Sequence, residues 1–390
     1  MLLFFLILFL PSQLAFHFWP EWSYLFGTRI DYLSPTLYLT DLIIIPLILL
    51  IRPKIKIPLV LLIFVVFNIL FSLSPMVTIY KWLRVLEYCL LFLSLKKSLE
   101  FRVLNLGFSL AILWTSLLAW FQFISQSSIG GFWYWLGERT FNIVTPSIAK
   151  FSILGHEYLR AYSTFPHPNA LAGFLLVGAL LIILSETKNP ENPRSFTAFR
   201  MTSKLALTIA LLTIPLTFSR TAIFLEILLI IYLFIPKFKK VLIILSLLTL
   251  TTYLTTHYSQ LSTSLTDRMW LIEKSVIAIQ KSPIMGLGLG SFPVFQPHLS
   301  SPSFALQFQP VHNIFLLLIS ELGLPFSLFI TFNVVKKAIR LSTSHLALRA
   351  AILVIAITGM VDHYWLTIHQ NTLLLVLLLA LLKSKLTADD

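Results

Sequence analysis

A single cysteine, Cys89, in 390 residues excludes an internal disulfide and any cysteine-ligated metal cluster. Charge is scarce as well, with only 12% Asp, Glu, Lys and Arg, and the 16 acids are outnumbered by 29 bases. No HExxH, CxxC or phosphate-binding P-loop occurs, and the six aspartates never fall at Asp-x-Asp spacing. Divalent-metal chemistry on a diphosphate is therefore not expected, and neither a metal nor a cofactor is predicted. A phosphate ester handled by this chain would have to be neutralised by arginine.

What the chain has in abundance is apolar surface. It is 57% hydrophobic, with a mean hydropathy of +0.87, which excludes a soluble globule and predicts a polytopic membrane protein. The run Leu2 to Leu10 lacks a basic flank and an Ala-x-Ala site, so it reads as a first span rather than a signal peptide. The net charge of +13 fits orientation signals better than a nucleic-acid partner, and none is predicted.

A span needs about 20 apolar residues, and about twelve such stretches can be counted. They are Leu2 to Phe18, Thr36 to Ile51, Ile57 to Leu73, Thr78 to Leu95, Val103 to Ile124, Asn169 to Leu184, Leu205 to Phe218, Thr221 to Ile235, Val241 to His257, His312 to Val334, Leu346 to Val361 and Gln370 to Leu382. The predicted fold is all-α, one membrane domain over 1–390. It divides into five spans (1–124), an outer loop (125–168), spans six to nine (169–257), a long outer loop or lid (258–311), and spans ten to twelve with a short tail (312–390).

Alternating the connections between two sides puts 19 of the 29 Lys and Arg on one side, in the clusters Arg52/Lys54/Lys56, Lys96/Lys97/Arg102, Lys188/Arg194/Arg200/Lys204, Lys237/Lys239/Lys240, Lys336/Lys337/Arg340/Arg349 and Lys383/Lys385. That side is cytoplasmic by the positive-inside rule, with both termini inside. The other cations, among them Lys81, Arg84, Arg139, Arg160, Arg220 and Arg268, are not accounted for by orientation. In the outer loops, "GGFWYWLG" reads as an aromatic belt at headgroup level. "TDRMWLIEKSVIAIQKSP" reads as an amphipathic surface helix with Met269, Ile272, Val276 and Ile279 on one face, between spans nine and ten. "SPIMGLGLGSF" lacks the strand and helix of a dinucleotide site and reads as a flexible outer loop.

Between Lys204 and Pro236 only 31 residues make two crossings, so the hairpin tip at Arg220 is expected below the outer surface, lining a wet cavity. In "RAYSTFPHPNALAGF", Pro168 suits a first helical turn, with His167 at the boundary and Asn169 just inside. The exposed N–H groups of that outward N-terminus favour an anion. In "QPVHNIFLLLISELGLPF", His312 and Asn313 begin the tenth span, where the positive helix end keeps the imidazole neutral and able to accept a proton. Arg268 sits in the first turn of the loop helix against its dipole. Asp362 in "DHYWLTIHQN" could orient an outer histidine or arginine. Lys81 and Arg84 could reach a lipid headgroup, and Arg84 could equally pair with Glu87 three residues on.

These stretches, "RAYSTFPHPNALAG", "FSRTA", "DRMWLIEKSVIAIQKSPIMGLGLGSF" and "VHNIFLLLISELGLPF", resemble in order the motifs of the O-antigen ligase and O-antigen polymerase superfamily, from about Arg160 to Gln370. The resemblance implies a bacterial cytoplasmic-membrane glycosyltransferase with its site facing the periplasm. The donor it implies is an undecaprenyl-diphosphate glycan. The acceptor is a hydroxyl of a lipid A core, a growing glycan or a protein, and transfer is inverting and metal-independent. Arg160 and Arg220 would match the arginines that hold the diphosphate, and His312 the base; His167, Asn169, Arg268, Asn313, Arg84 and Lys81 complete the candidate binding set. Rival readings are a flippase for the same lipid-linked sugars, which predicts polar groups near the midplane, and an assembly partner, which predicts that Arg220→Ala and His312→Ala are silent.

Overall fold

In the computed structural model, which describes residues 1–153, 155–187, 197–234, 260–299, 308–339 and 346–382, helix accounts for 69% and strand for 6%. The chain is thus mostly helical, as its apolar runs demand. Among the described residues the helices of eight residues or more are α1 (Leu2–Phe9), α2 (Asp41–Ile51), α3 (Leu59–Leu70), α4 (Pro75–Ser98), α5 (Phe101–Ser125), α6 (Pro168–Thr187), α7 (Thr197–Thr213), α8 (Arg220–Phe234), α9 (Gln260–Lys281), α10 (Ile314–Leu322), α11 (Leu324–Ile339), α12 (Leu346–Val361) and α13 (His369–Leu381). The ninth span, Val241 to His257, lies outside the described residues, as do the basic clusters Lys188/Arg194, Lys237/Lys239/Lys240 and Lys383/Lys385 and the cation Arg340.

Helix α6 is apolar all round, and a helix of that kind must be covered on every side. Phe174, Leu175 and Val177 are fully buried, in one core with Phe108 and Ile112 of α5, Leu348 and Ala351 of α12, and Leu374 of α13. Gly173 makes room for Tyr364, since a Cβ there would come within 2.6 Å of the phenol oxygen. Helix α3 is as apolar as α6 yet leaves Leu59, Val60, Leu62 and Leu70 exposed. In water that face would be an aggregation surface; against lipid tails it is ordinary. By length and composition α5 and residues Pro168–Glu186 are each able to cross a membrane, while α2, α3, α12 and α13 are shorter apolar helices.

Several expectations are corrected. The first apolar run is a helix only over Leu2–Phe9, about 12 Å at the standard rise. Pro11 cannot supply the N–H to continue it, and Ala15–His17 instead forms a strand paired antiparallel with Thr36–Tyr38, which takes those residues from the second span. Two further two-stranded sheets, Tyr24–Leu25 with Thr28–Arg29 and Lys150–Ile153 with His156–Leu159, were not expected of an all-α chain. The tenth span is two helices, α10 and α11, broken at Gly323. On α9 the buried side chains are Leu271, Ser275 and Ala278, whereas Met269 and Val276 of the predicted apolar face are exposed.

The glycine stretch after α9 is not a loose loop. Leu287 and Gly288 donate backbone N–H groups to the carbonyls of Ser320 (2.8 Å) and Glu321 (3.1 Å), and Leu73 donates to Leu287 (3.0 Å). Asn68 donates to Met285 (2.8 Å) and Glu321 (3.0 Å). Gly323 has φ +77°, and a Cβ there would fall on the Ile284 carbonyl. The break that sets where α10 begins is therefore imposed by packing. Gly323→Ala is expected to lower stability by more than about 1 kcal/mol, the usual lower bound where a side chain is forced into positive φ. An unchanged thermal midpoint in detergent would show that the break is not so imposed.

Candidate functional site

The start of α6 builds the first arm of a site. Pro168 fits the first turn, and the Asn169 N–H donates to His167 Nδ1 (3.2 Å), so the imidazole caps the helix and its neutral form carries the proton on Nε2. Arg160, just upstream, is held at two points. Its Nε donates to the Thr217 carbonyl (2.6 Å) and its Nη2 to Asn169 Oδ1 (2.6 Å). The Asn169 amide then donates to Asp362 Oδ2 (2.8 Å), linking the arginine to a carboxylate through one side chain. Thr217 ends a short 3-10 turn, Ile214–Thr217, and Phe218 at φ 48° reverses the chain into α8. That turn sets Arg220 at the head of α8 with its side chain exposed and its charge within electrostatic reach of Arg160.

The second arm comes from α10, α12 and α9. Asn313 caps α10, its Oδ1 accepting from the N–H groups of Phe315 (2.9 Å) and Leu316 (3.0 Å). The Asn313 amide reaches the Met360 carbonyl (3.1 Å), which ties the start of α10 to the end of α12. His312 is thereby set beside Asp362 and His363: a ring nitrogen of each histidine and a carboxylate oxygen lie within 4.8 Å of one another. The His312 and His363 rings meet edge to face at 4.9 Å. Nδ1 of His312 is buried and has no hydrogen-bond partner among the described residues, a vacancy buried polar atoms seldom leave. Arg268 on α9 donates to the Val361 carbonyl (2.7 Å), which brings a third guanidinium to the same place.

The electrostatics follow. Burial lowers the Arg160 pKa to about 10, with Arg220 and Arg268 adding to the effect, so it stays charged at neutral pH. Burial, then the Arg160 charge, lowers His167 to about 3. Burial, then His312, does the same for His363, also to about 3. His312 is lowered by burial, aided by Arg268 and opposed by Asp362, and is neutral near pH 7. Desolvation, which the sequence did not reveal, is the largest cause of that lowering. Burial works against the Asp362 charge, but the imidazoles of His312, His363 and His167 and the Asn169 amide outweigh it, and its pKa falls below the ordinary carboxylate value.

Such an arrangement can bind an anion and accept a proton beside it. Two imidazoles and a carboxylate are also a set that could close on a cation. Against that, both Asp362 oxygens already accept hydrogen bonds, from the His363 N–H (2.8 Å) and from Asn169 (2.8 Å), and Arg160 and Arg268 repel positive charge.

Of the residues expected at the site, Arg160, His167, Asn169, Arg268, His312 and Asn313 gather here, with Arg220 in reach. Lys81 and Arg84 are elsewhere in the bonding pattern. The Arg84 guanidinium donates to Asp41 (2.9 Å) and Glu87 (2.7 Å) and contacts His369 Nδ1 (2.8 Å). Lys81 lies over the Tyr80 ring at 5.4 Å, against the glycine stretch at Gly290. Glu321, on α10, accepts from the Phe292 N–H (3.3 Å) beside the glycine stretch. His363 was overlooked, although its position next to Asp362 in a short turn was a signal. Arg139, named above only as a cation that orientation does not explain, donates to the Pro166 carbonyl (2.8 Å) and lies over Tyr162.

Residues 205–331 match the family described as O-antigen ligase. The matched segment runs from α7 into α11 and holds Arg220, Arg268, His312 and Asn313; Arg160, Asn169 and Asp362 lie outside it. No curated protein matches the chain.

Proposed function

From the match of residues 205–331 to the family described as O-antigen ligase, we propose that the chain transfers a glycan from an undecaprenyl-diphosphate donor to an acceptor hydroxyl at the outer face of the bacterial cytoplasmic membrane. The observation that carries this reading is the meeting of Arg160 and Arg268, with Arg220 in electrostatic reach, with a carboxylate and a neutral imidazole whose Nδ1 has no hydrogen-bond partner among the described residues.

In this reading His312 takes the proton of the acceptor hydroxyl as its oxygen bonds to the anomeric carbon. The bond from that carbon to the diphosphate oxygen breaks, and the diphosphate leaves from the opposite face, inverting the centre. Arg160 and Arg220 neutralise the charge developing on the leaving group, with Arg268 beside them. Arg160 is preorganised by Thr217 and Asn169, so little rearrangement is needed at the moment of transfer. Asp362 is a positioning residue that favours the imidazolium formed on His312. Polar groups concentrated at one end, rather than near a midplane, favour an enzyme over a flippase.

The test is purified protein with a defined undecaprenyl-diphosphate glycan and hydroxyl acceptors of the lipid A core, glycan and protein types, with EDTA present. Transfer is expected to persist in the chelator. Activity lost to EDTA and restored by magnesium or manganese would overturn the metal-free mechanism. Movement of the donor across vesicles without transfer would overturn the enzyme reading.

A further inference from the structure

The segment joining α1 to α2 is a folded strap rather than a simple turn. Its strand pair, Ala15–His17 with Thr36–Tyr38, closes it at the base. Within it the Ile30 N–H donates to the Ser23 carbonyl (2.9 Å) and the Ser34 hydroxyl to the Phe18 carbonyl (2.6 Å). Ile30 and Leu33 are buried in one cluster with Val77 of α4 and Phe308. The 3-10 turn Asp31–Leu33 lies between these anchors. Its other two side chains, the exposed Asp31 and the half-buried Tyr32, are therefore presented by a fixed backbone.

Tyr32 reaches the site. Its ring meets His363 edge to face at 5.6 Å, and His363 meets His312 in the same manner at 4.9 Å. Burial, then the charges of Asp362 and Asp31, opposed by Arg139, raise the phenol pKa above its ordinary 10. The hydroxyl thus keeps its proton and can donate as well as accept. Arg139 comes to the same place from the loop after α5. Its Nη2 is fastened to the Pro166 carbonyl (2.8 Å), next to His167, and its guanidinium stands over the Tyr162 ring at 5.6 Å. Asp31 and Tyr32 both bear on it electrostatically. Among the described residues neither the Asp31 carboxylate nor the Tyr32 hydroxyl makes a hydrogen bond.

The three groups offer complementary chemistry beside the base. A carboxylate only accepts, a guanidinium only donates and a phenol does both. Adjacent hydroxyls of a sugar ring, each a donor and an acceptor, call for that combination. We propose that Asp31, Tyr32 and Arg139 form the acceptor subsite, holding a neutral sugar by the hydroxyls next to the one that His312 deprotonates. The inference rests on the function proposed above and narrows its acceptor to a sugar. A serine-bearing peptide would be held by its backbone along a strand edge or groove, whereas here the available contacts are side chains gathered around one imidazole. Asp31 also sets a negative charge on this side, which disfavours the donor's diphosphate there and keeps the two substrates from exchanging places.

The test is initial-rate transfer by the full chain in nanodiscs from an undecaprenyl-diphosphate glycan to a neutral hexose oligosaccharide or to a serine peptide. Asp31→Asn is expected to raise the KM for the oligosaccharide on the order of 10- to 100-fold, the scale of a lost hydrogen bond to a charged group. Tyr32→Phe should raise it by about two- to tenfold, the scale of a neutral one. The KM for the donor should stay as in the unmodified protein. Oligosaccharides lacking a hydroxyl beside the attacking one should be poor acceptors for the unmodified protein. For one of these deoxy acceptors Asp31→Asn should cost nothing further, because the two changes remove the same bond. A merely structural part for the strap would move both KM values together and be blind to the deoxy position.

Equal effects on donor and acceptor KM, additive losses with every deoxy acceptor, or a serine peptide used as well as the oligosaccharide would overturn the inference. If the unmodified protein transfers to neither acceptor, the enzyme reading fails. Saturation-transfer NMR with the free oligosaccharide then decides the subsite. Transfer to its ring protons that is lost in Asp31→Asn supports the assignment, and no transfer, or transfer unchanged by the substitution, overturns it.

Discussion

Arg220→Ala is expected to transfer glycan on the order of 10²- to 10³-fold more slowly than the unmodified protein, the usual loss when one preorganised donor to a developing oxyanion is removed. This substitution is the cleanest probe of the site because Arg220 is exposed and, among the described residues, makes none of the side-chain bonds that hold Arg160. Surface changes away from structural contacts usually shift stability by within about 0.5 kcal/mol, so the thermal midpoint should barely move while activity falls. Arg160→Ala would abolish activity too, but it also strips partners from the Thr217 carbonyl and Asn169, so its loss mixes folding with chemistry. Arg220→Lys is expected to be nearly as damaging as alanine. A lysine keeps the charge but cannot present two parallel N–H donors to a phosphate. Near-normal transfer by the lysine variant, measured as kcat/KM on purified protein, would mean that Arg220 acts only as a charge at the membrane surface.

The second large effect is expected at His312. Removing a positioned general base typically costs on the order of 10²- to 10⁴-fold in rate, and His312→Ala should fall in that range with donor binding little changed. The pH profile gives an independent reading. A base acts in its unprotonated form, and burial lowers the His312 pKa below the ordinary 6.5. The acid limb of the rate should therefore have its midpoint below 6.5. Asp362 opposes that lowering, so Asp362→Asn should move the acid limb to still lower pH and reduce the maximal rate, since a less basic imidazole accepts a proton less readily. An acid limb above 6.5, or one shifted to higher pH by Asp362→Asn, would remove His312 from the role. Because Asn169 can still bond an amide at position 362, a merely structural part for Asp362 would alter stability without moving the profile.

Much of the site was legible in the sequence because its parts sit at helix beginnings, and these carry local signals. Pro168 after His167, and Asn313 before an apolar run, mark N-termini on their own, and the first turns of α6 and α10 begin where those residues say. Arg220 was noticeable as a cation in apolar surroundings; Arg268 was singled out for a first-turn position that it does not hold, since α9 begins at Gln260 and places it in the third turn. What the chain could not convey locally was pairing over distance. The bond from Asn169 to Asp362 spans 193 residues, and nothing near either residue announces the other. His363 escaped notice for the same reason, since its importance lies in facing His312 across that fold.

The fold divides along the same line. Long apolar runs such as α5 and α6 were found because a bilayer imposes a length on them. The break at Gly323 was not, because it is made by the carbonyl of Ile284, 39 residues earlier, and not by any residue adjoining it. Hydropathy also let Leu2 to Phe18 pass as one helix. It weighs side chains and is blind to Pro11 and to the backbone bonds by which Ala15–His17 joins Thr36–Tyr38. Arg84 illustrates the converse. Its pairing with Glu87 three residues away was foreseeable, whereas Asp41 and His369, from the two ends of the chain, complete its surroundings.

The Asn169 bridge makes the two halves of the site answer to each other. Burial does most to hold the imidazoles of His167, His312 and His363 reluctant to take a proton, and the bare charges of Arg160 and Arg268 add to it. On the proposed function, an arriving diphosphate offsets the arginine part of that effect, and the basicity of the rings rises while the acceptor's proton is still to be removed. Departure of the anion restores the original state. Proton affinity in this pocket is thus fixed mainly by burial and adjusted by occupancy, so an empty site has the least tendency to deprotonate a passing hydroxyl.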